Sequence, residues 1–197
     1  MLCPLSVKTK RENARKDGEP VLRDETLELL LKIAAEKRPA SILEIGTNVG
    51  LTGVALLLTL KNATLTGIEI DEDLYNAAKS NYAQFGVADR AKIFLGDASE
   101  IIPVMTGKYD LIFLDGPKGH YYEYLPYLKA ALNENGVLFA DDVAFHGYVD
   151  GVVPRKHRAI VNSIKAFLSD LKNDADFTVN VYDLEDGVCV SEKKCDE

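Results

Sequence analysis

The chain has 197 residues, 47% of them hydrophobic and 27% charged, a balance that excludes a disordered chain, a collagen-like repeat and a disulfide-dense miniature fold. No apolar run reaches the roughly 18–20 residues of a bilayer span. Net charge is −8, which argues against a uniformly nucleic-acid-coating surface, yet the charge is uneven. Residues 1–16 carry five basic groups (Lys8, Lys10, Arg11, Arg15, Lys16) against Glu12, so everything after them is more acidic than the average. Arg155-Lys156-His157-Arg158 forms a second basic cluster. Either run reads as solvated surface or as a phosphate contact.

In chain order, residues 1–18 read as a basic, mobile arm and 19–197 as one domain. Asp24 to Lys37 carries Leu27, Leu30, Leu31 and Ala34 at helical spacing, with Pro39 beyond. Strand Ser41–Ile45, helix Thr52–Leu60, strand Thr64–Ile70 and helix Asp73–Phe85 follow. Then come strand Ala91–Leu95, a short helix near Ser99–Met105, strand Tyr109–Leu114, helix Tyr122–Leu132 and strand Gly136–Ala140. A long helix over Arg155–Lys172 precedes two strands, Thr178–Tyr182 and Val188–Ser191, around the turn signal Glu185-Asp186-Gly187. Strands alternating with helices specify an α/β, doubly wound, mostly parallel sheet of seven strands with an antiparallel edge strand from the closing hairpin. Cys3, Cys189 and Cys195 form no CxxC pair, and Met1–Val7 lacks a signal-peptide core; a reduced, cytoplasmic protein is expected.

Ligands of doubly wound sheets bind beyond the carboxyl ends of the strands. Here those exits are acidic. After the first strand comes Glu44-Ile45-Gly46-Thr47-Asn48-Val49-Gly50, with Asn48 where a dinucleotide fingerprint needs glycine. An acid beside a glycine turn suits a cationic ligand better than a pyrophosphate, although Gly46 and Gly50 also serve simply to turn the chain. Glu69, ending the second strand, suits the two hydroxyls of a ribose. Asp97-Ala98 after the third fits an adenine edge, or a plain helix cap.

Asp115, Asp141 and Asp142 end two further strands. Three carboxylates in one crevice repel unless a cation neutralises them, and an all-oxygen set favours Mg²⁺, Mn²⁺ or Ca²⁺ over zinc. Neighbouring strand residues face opposite ways, so Asp141 and Asp142 share an ion only if the strand stops there.

Together these residues resemble the class I S-adenosylmethionine-dependent, metal-dependent O-methyltransferases related to the catechol and caffeoyl-CoA enzymes, from Val21 to Lys193. The resemblance implies S-adenosyl-L-methionine as cofactor, with Glu44 and Gly46 by its methionine part, Asn48 and Gly50 among its further contacts, Glu69 on the ribose and Asp97-Ala98 near the adenine. It adds Val21, Thr52 and Asp115 as cofactor contacts. It implies Asp115, Asp141 and Asp142 as metal ligands, the last standing where relatives carry Asn. Lys118, in Asp115-Gly116-Pro117-Lys118, matches the catalytic base, its pKa expected to be lowered by the metal's charge.

The 153–161 segment and Asp186-Gly187-Val188 resemble a bacterial subgroup that includes the tRNA 5-hydroxyuridine methyltransferase. That implies the tRNA anticodon loop as partner, with Arg155, Lys156 and Arg158 as candidate RNA contacts; Tyr121, Tyr122, Tyr124, Phe145, His146 and Tyr148 are candidate stacking groups for whichever acceptor binds, or plain packing residues. A small catechol or hydroxycinnamoyl-type acceptor is the alternative, and a non-catalytic cofactor-binding protein the alternative of another class. Relatives imply a homodimer.

Overall fold

The computed structural model describes residues 3–195, so the first two residues of the expected arm and the last two of the expected domain lie outside the described residues. Seven α-helices, α1 (Leu5–Lys16), α2 (Asp24–Lys37), α3 (Leu51–Thr59), α4 (Glu72–Gln84), α5 (Ala98–Ile101), α6 (Tyr121–Ala131) and α7 (Arg158–Asn173), alternate with seven strands. The strands are β1 (Ser41–Ile45), β2 (Thr64–Glu69), β3 (Ala91–Leu95), β4 (Tyr109–Leu114), β5 (Leu132–Ala140), β6 (Phe177–Tyr182) and β7 (Val188–Lys193). Their order in the sheet is β3-β2-β1-β4-β5-β7-β6, the expected mixed sheet with antiparallel strands at its C-terminal side. Among the described residues no helix is long and apolar enough to cross a membrane.

The described chain forms two compact units, 3–98 and 99–195. In the first, β1, β2 and β3 pair in parallel, Ile45 beside Ile68 and Glu69 beside Leu95, so the exits of β1 and β2 lie side by side. Helix α2 buries the Leu27, Leu30, Leu31 and Ala34 stripe and stops where Arg38 turns left-handed (φ 51°) before Pro39. Asp71 caps α4, its carboxylate accepting the N–H groups of Asp73 and Leu74.

The expected mobile arm gives way to a docked helix over residues 5–16. Val7 and Arg11, one turn apart, are buried. Arg11 donates to the Leu22 carbonyl and, at 3.0 Å, to Asp24; Arg15 reaches the same carboxylate at 2.7 Å. The two guanidinium groups hold the Asp24 carboxyl well below the usual carboxylate range, Arg15 contributing most. Composition misleads here because a cation buried against a partner counts as charge in a sequence and as packing in a fold.

In the second unit, β4 and β5 are parallel, with Leu114 beside Ala140, and β7 runs antiparallel to both β5 and β6. Leu111–Leu114 and Val137–Ala140 are apolar on both faces and fully buried, as a central parallel pair requires. Strand β5 starts at Leu132, four residues before the expected Gly136. Helix α7 lays Val161, Ile164, Phe167, Leu168 and Leu171 inward.

Candidate functional site

In the first unit, β1 delivers the chain to Gly46 (φ 88°), whose N–H and that of Thr47 both donate to the Ile68 carbonyl. Asn48 adopts the left-handed conformation (φ 51°) that a fingerprint glycine would take, as Asn tolerates better than most residues. Its side-chain oxygen accepts the Val49 N–H, and its own N–H donates to Glu69 Oε2 at 2.6 Å. Glu69 Oε1 accepts the N–H groups of Ile70 and Asp71 at 2.9 and 3.0 Å. The carboxylate is thereby aimed by three backbone donors, with acceptor capacity left on Oε2 for a ligand hydroxyl. Gly50 (φ 77°) opens α3; a Cβ there would sit 2.9 Å from Ala78 Cβ.

Glu44 is fully buried, its Oε2 accepting from the Tyr82 hydroxyl of α4 at 3.2 Å. Burial and the Glu44 charge push the Tyr82 hydroxyl up, which keeps it the donor. A tyrosine 38 residues further on carries no local signal of this role. Val21 is half-buried between α1 and α2, Thr52 is buried in the first turn of α3, Asp97 is half-buried, and buried Ala98 opens α5.

In the second unit the acids converge. Strand β5 ends at Ala140, and Asp142 turns left-handed (φ 56°), which lets consecutive residues face one point. Asp115, Asp141 and Asp142 each offer a carboxylate oxygen within 4.8 Å of the others. Tyr121 ties the two strand ends together, donating at 3.1 Å towards both the Leu114 and Asp141 carbonyls. That task, and its complete burial, remove Tyr121 from the stacking candidates; Tyr124 is buried too, whereas Tyr122 is half exposed.

Lys118, beginning a short 3-10 turn, places Nζ 2.8 Å from Asp115 Oδ1 and 2.9 Å from Asp142 Oδ2. Burial alone would lower its pKa, but Asp115 and Asp142 outweigh burial and hold it above the ordinary lysine value. Burial pushes the Asp141 carboxyl up to about 7, reinforced by Asp115 and Asp142. A carboxyl raised on folding binds a proton that the unfolded chain, with its value near 3.9, has lost, so stability falls as pH rises from about 4 to about 7. Metal-free Asp141→Asn is therefore expected to melt above the wild type at pH 8 and to converge with it below pH 4, in thermal denaturation with EDTA.

His120 pairs with Glu123 at 2.7 Å on the surface, outside the acid cluster. Arg155, Lys156 and Arg158 are exposed at the entry to α7. A cavity of about 850 Å³ in this unit lies along Leu168, Lys172, Val181 and Tyr182, and neither the three acids nor Lys118 line it. The carboxylate–lysine cluster, where unlike charges and possible ligand atoms meet, is the chemically competent place.

Residues 5–194 match the family model described as O-methyltransferase. Bovine (Bos taurus) catechol O-methyltransferase is 33% identical over 60% of this chain and 47% of its own length. The O-methyltransferase hkm8 of Aspergillus hancockii is 29% identical over 57% of this chain and 46% of its own. The chain thus spans about half the length of these curated relatives. A Staphylococcus aureus structure, for which caffeoyl-CoA O-methyltransferase is the candidate description, superposes with a TM-score of 0.88 at 27% identity, covering 96% of this chain and 93% of that one. A family match running nearly end to end over this fold makes the chain a member of the O-methyltransferase family.

Proposed function

We propose that this chain moves a methyl group from S-adenosylmethionine to an acidic hydroxyl in a divalent-cation-dependent reaction, and that the acceptor is 5-hydroxyuridine at the tRNA wobble position. The observation that carries the chemistry is Lys118 Nζ within hydrogen-bonding distance of two members of a three-carboxylate cluster.

The donor set fits a hard cation: three carboxylates, with no sulfur or imidazole among them. Asp115, Asp141 and Asp142 would hold it. Once bound, it supplies positive charge that acidifies a nearby hydroxyl and offsets the carboxylates' hold on the Lys118 proton. S-adenosylmethionine brings a methyl group on a sulfonium, and Asn48 and Glu69 supply oriented polar groups suited to its ribose. Lys118, as the free amine, takes the acceptor's hydroxyl proton on Nζ. The acceptor oxygen bonds to the methyl carbon as the carbon–sulfur bond breaks, its electron pair staying on sulfur. Arg155, Lys156 and Arg158 give the RNA reading its support, as an exposed cationic run suited to phosphates.

A small catechol acceptor is the second reading, favoured by the bovine relative. The test is methyl transfer from labelled S-adenosylmethionine to hydroxylated tRNA, unmodified tRNA and a catechol, with Mg²⁺ or EDTA. Transfer confined to hydroxylated tRNA, abolished by EDTA and falling steeply with salt, is the expected result. Transfer to the catechol alone would overturn the RNA reading, and undiminished transfer in EDTA would overturn the metal.

A further inference from the structure

The loop that leaves the acid cluster is held in a costly conformation by the last hairpin. Asp142, Phe145 and His146 are left-handed (φ 56°, 46° and 58°), followed by Gly147 (φ 72°). Glycine takes this region freely, while other residues adopt it at a steric cost, so such backbone persists only where its surroundings over-determine it. The turn between β6 and β7 supplies those surroundings. The Val143 N–H donates to the Gly187 carbonyl and the Ala144 N–H to the Asp186 carbonyl, at 3.0 and 2.8 Å. The His146 N–H donates to Asp186 Oδ1 at 2.5 Å, and Oδ2 lies 3.6 Å from His146 Nδ1. A Cβ on Gly187 would come 2.7 Å from the Ala144 nitrogen, so the turn and the loop touch backbone to backbone.

The loop presents aromatic rings. Phe145 lies 5.1, 6.2 and 5.5 Å, centroid to centroid, from His146, Tyr148 and His157, and Tyr148 stacks on His157 at 5.5 Å and 21°. A cluster made for packing would be sealed, as Phe113 and Phe139 are in this unit. Instead the His146 side chain is 63% exposed and the other three rings are half-buried, while the Asp186 side chain beneath is only 10% exposed. In sequence this open aromatic surface follows directly on Asp141-Asp142 and leads into Arg155, Lys156 and Arg158.

We propose that Asp186 is a positioning residue for acceptor recognition: it holds Phe145, His146, Tyr148 and His157 as a wall on which an unstacked nucleobase of the acceptor lies, with the following cations taking adjacent phosphates. This rests on the RNA reading above. Asp186 touches neither reacting atom; it acts through His146 and the backbone conformation of the loop.

The experiment combines steady-state kinetics on hydroxylated tRNA with a fluorescence readout. Asp186→Ala is expected to raise KM for tRNA by about tenfold while kcat stays within about threefold and cofactor affinity is unchanged. Asp186→Asn, which keeps an acceptor for the His146 N–H, is expected to recover most of that loss. The chain has no tryptophan, so Tyr148→Trp installs a single reporter in the wall. Its emission is expected to be quenched by a hydroxylated anticodon stem-loop, and the quench to vanish when Asp186→Ala is added. A fall in kcat or cofactor affinity matching the rise in KM, or a tryptophan indifferent to saturating RNA, would overturn the proposal. Should Asp186→Ala not fold, Asp186→Asn and Tyr148→Trp decide alone. If the wild type methylates only a catechol, the RNA reading falls, and the catechol KM in the same variants decides whether the wall holds a ring at all.

Discussion

Lys118→Ala is expected to slow methyl transfer by about 10²–10⁴-fold, the range of a positioned general base, with cofactor affinity unchanged. The reasoning starts from charge. Asp115 and Asp142 hold the Lys118 amino group at 2.8 and 2.9 Å, so the side chain is fixed in place, and in the proposed reaction a bound cation would offset their hold on its proton. Lys118→Arg is expected to fail as well, since a guanidinium keeps the cation but does not surrender its proton. Single-turnover transfer at saturating cofactor is the measurement. A Lys118→Ala rate within threefold of wild type would remove the lysine from the chemistry.

Gly53→Ala is expected to destabilise the chain by about 3 kcal/mol, combining overpacking with loss of a buried hydrogen bond to a carboxylate. A methyl group on Gly53 would lie 2.3 Å from the Tyr82 hydroxyl oxygen, 3.0 Å from Glu44 Oε2 and 3.1 Å from Leu65 Cδ1. Tyr82 is a rigid ring sealed in the unit and cannot swing aside. For a chain of this size the melting temperature should drop by about 6–12 °C. Gly119→Ala is the control: its Cβ would meet only Ile160, at 3.8 Å, and it should melt with the wild type. Equal melting of both variants would show that the Tyr82–Glu44 contact yields cheaply.

The framework of the fold was legible because its signals are local. The runs ending in Ile45, Leu95 and Leu114 finish where apolar residues give way to glycine or acid, and α2 occupies the residues its leucine spacing marks. The acids at β4 and β5 were legible for the same reason, since strand exits are where ligands sit. What escaped depends on contacts distant in sequence. Glu44 turns inward to a tyrosine in α4, and Tyr121 is consumed by two strand-end carbonyls. Asp186 reads as a turn residue, yet its carboxylate reaches back 40 residues to His146. Arg11 belongs to a third class: its burial is supported by Leu22 and Asp24 accepting from one of its guanidinium nitrogens, contacts that hydropathy does not register.

The boundary at Ala98–Ser99 also sorts residues by task. The glycine turn, Asn48 and Glu69 precede it; the carboxylate cluster, Lys118, the aromatic loop and the cationic run follow it. On the function proposed above, selection on the acceptor would act mostly on the later half of the gene, while the earlier half would answer mostly to the donor. If the proposed roles hold, chimeras that join residues 1–98 of this chain to the later half of a relative are expected to take their acceptor from the relative, and comparing such hybrids is a direct way to ask how new specificities arise on an old scaffold.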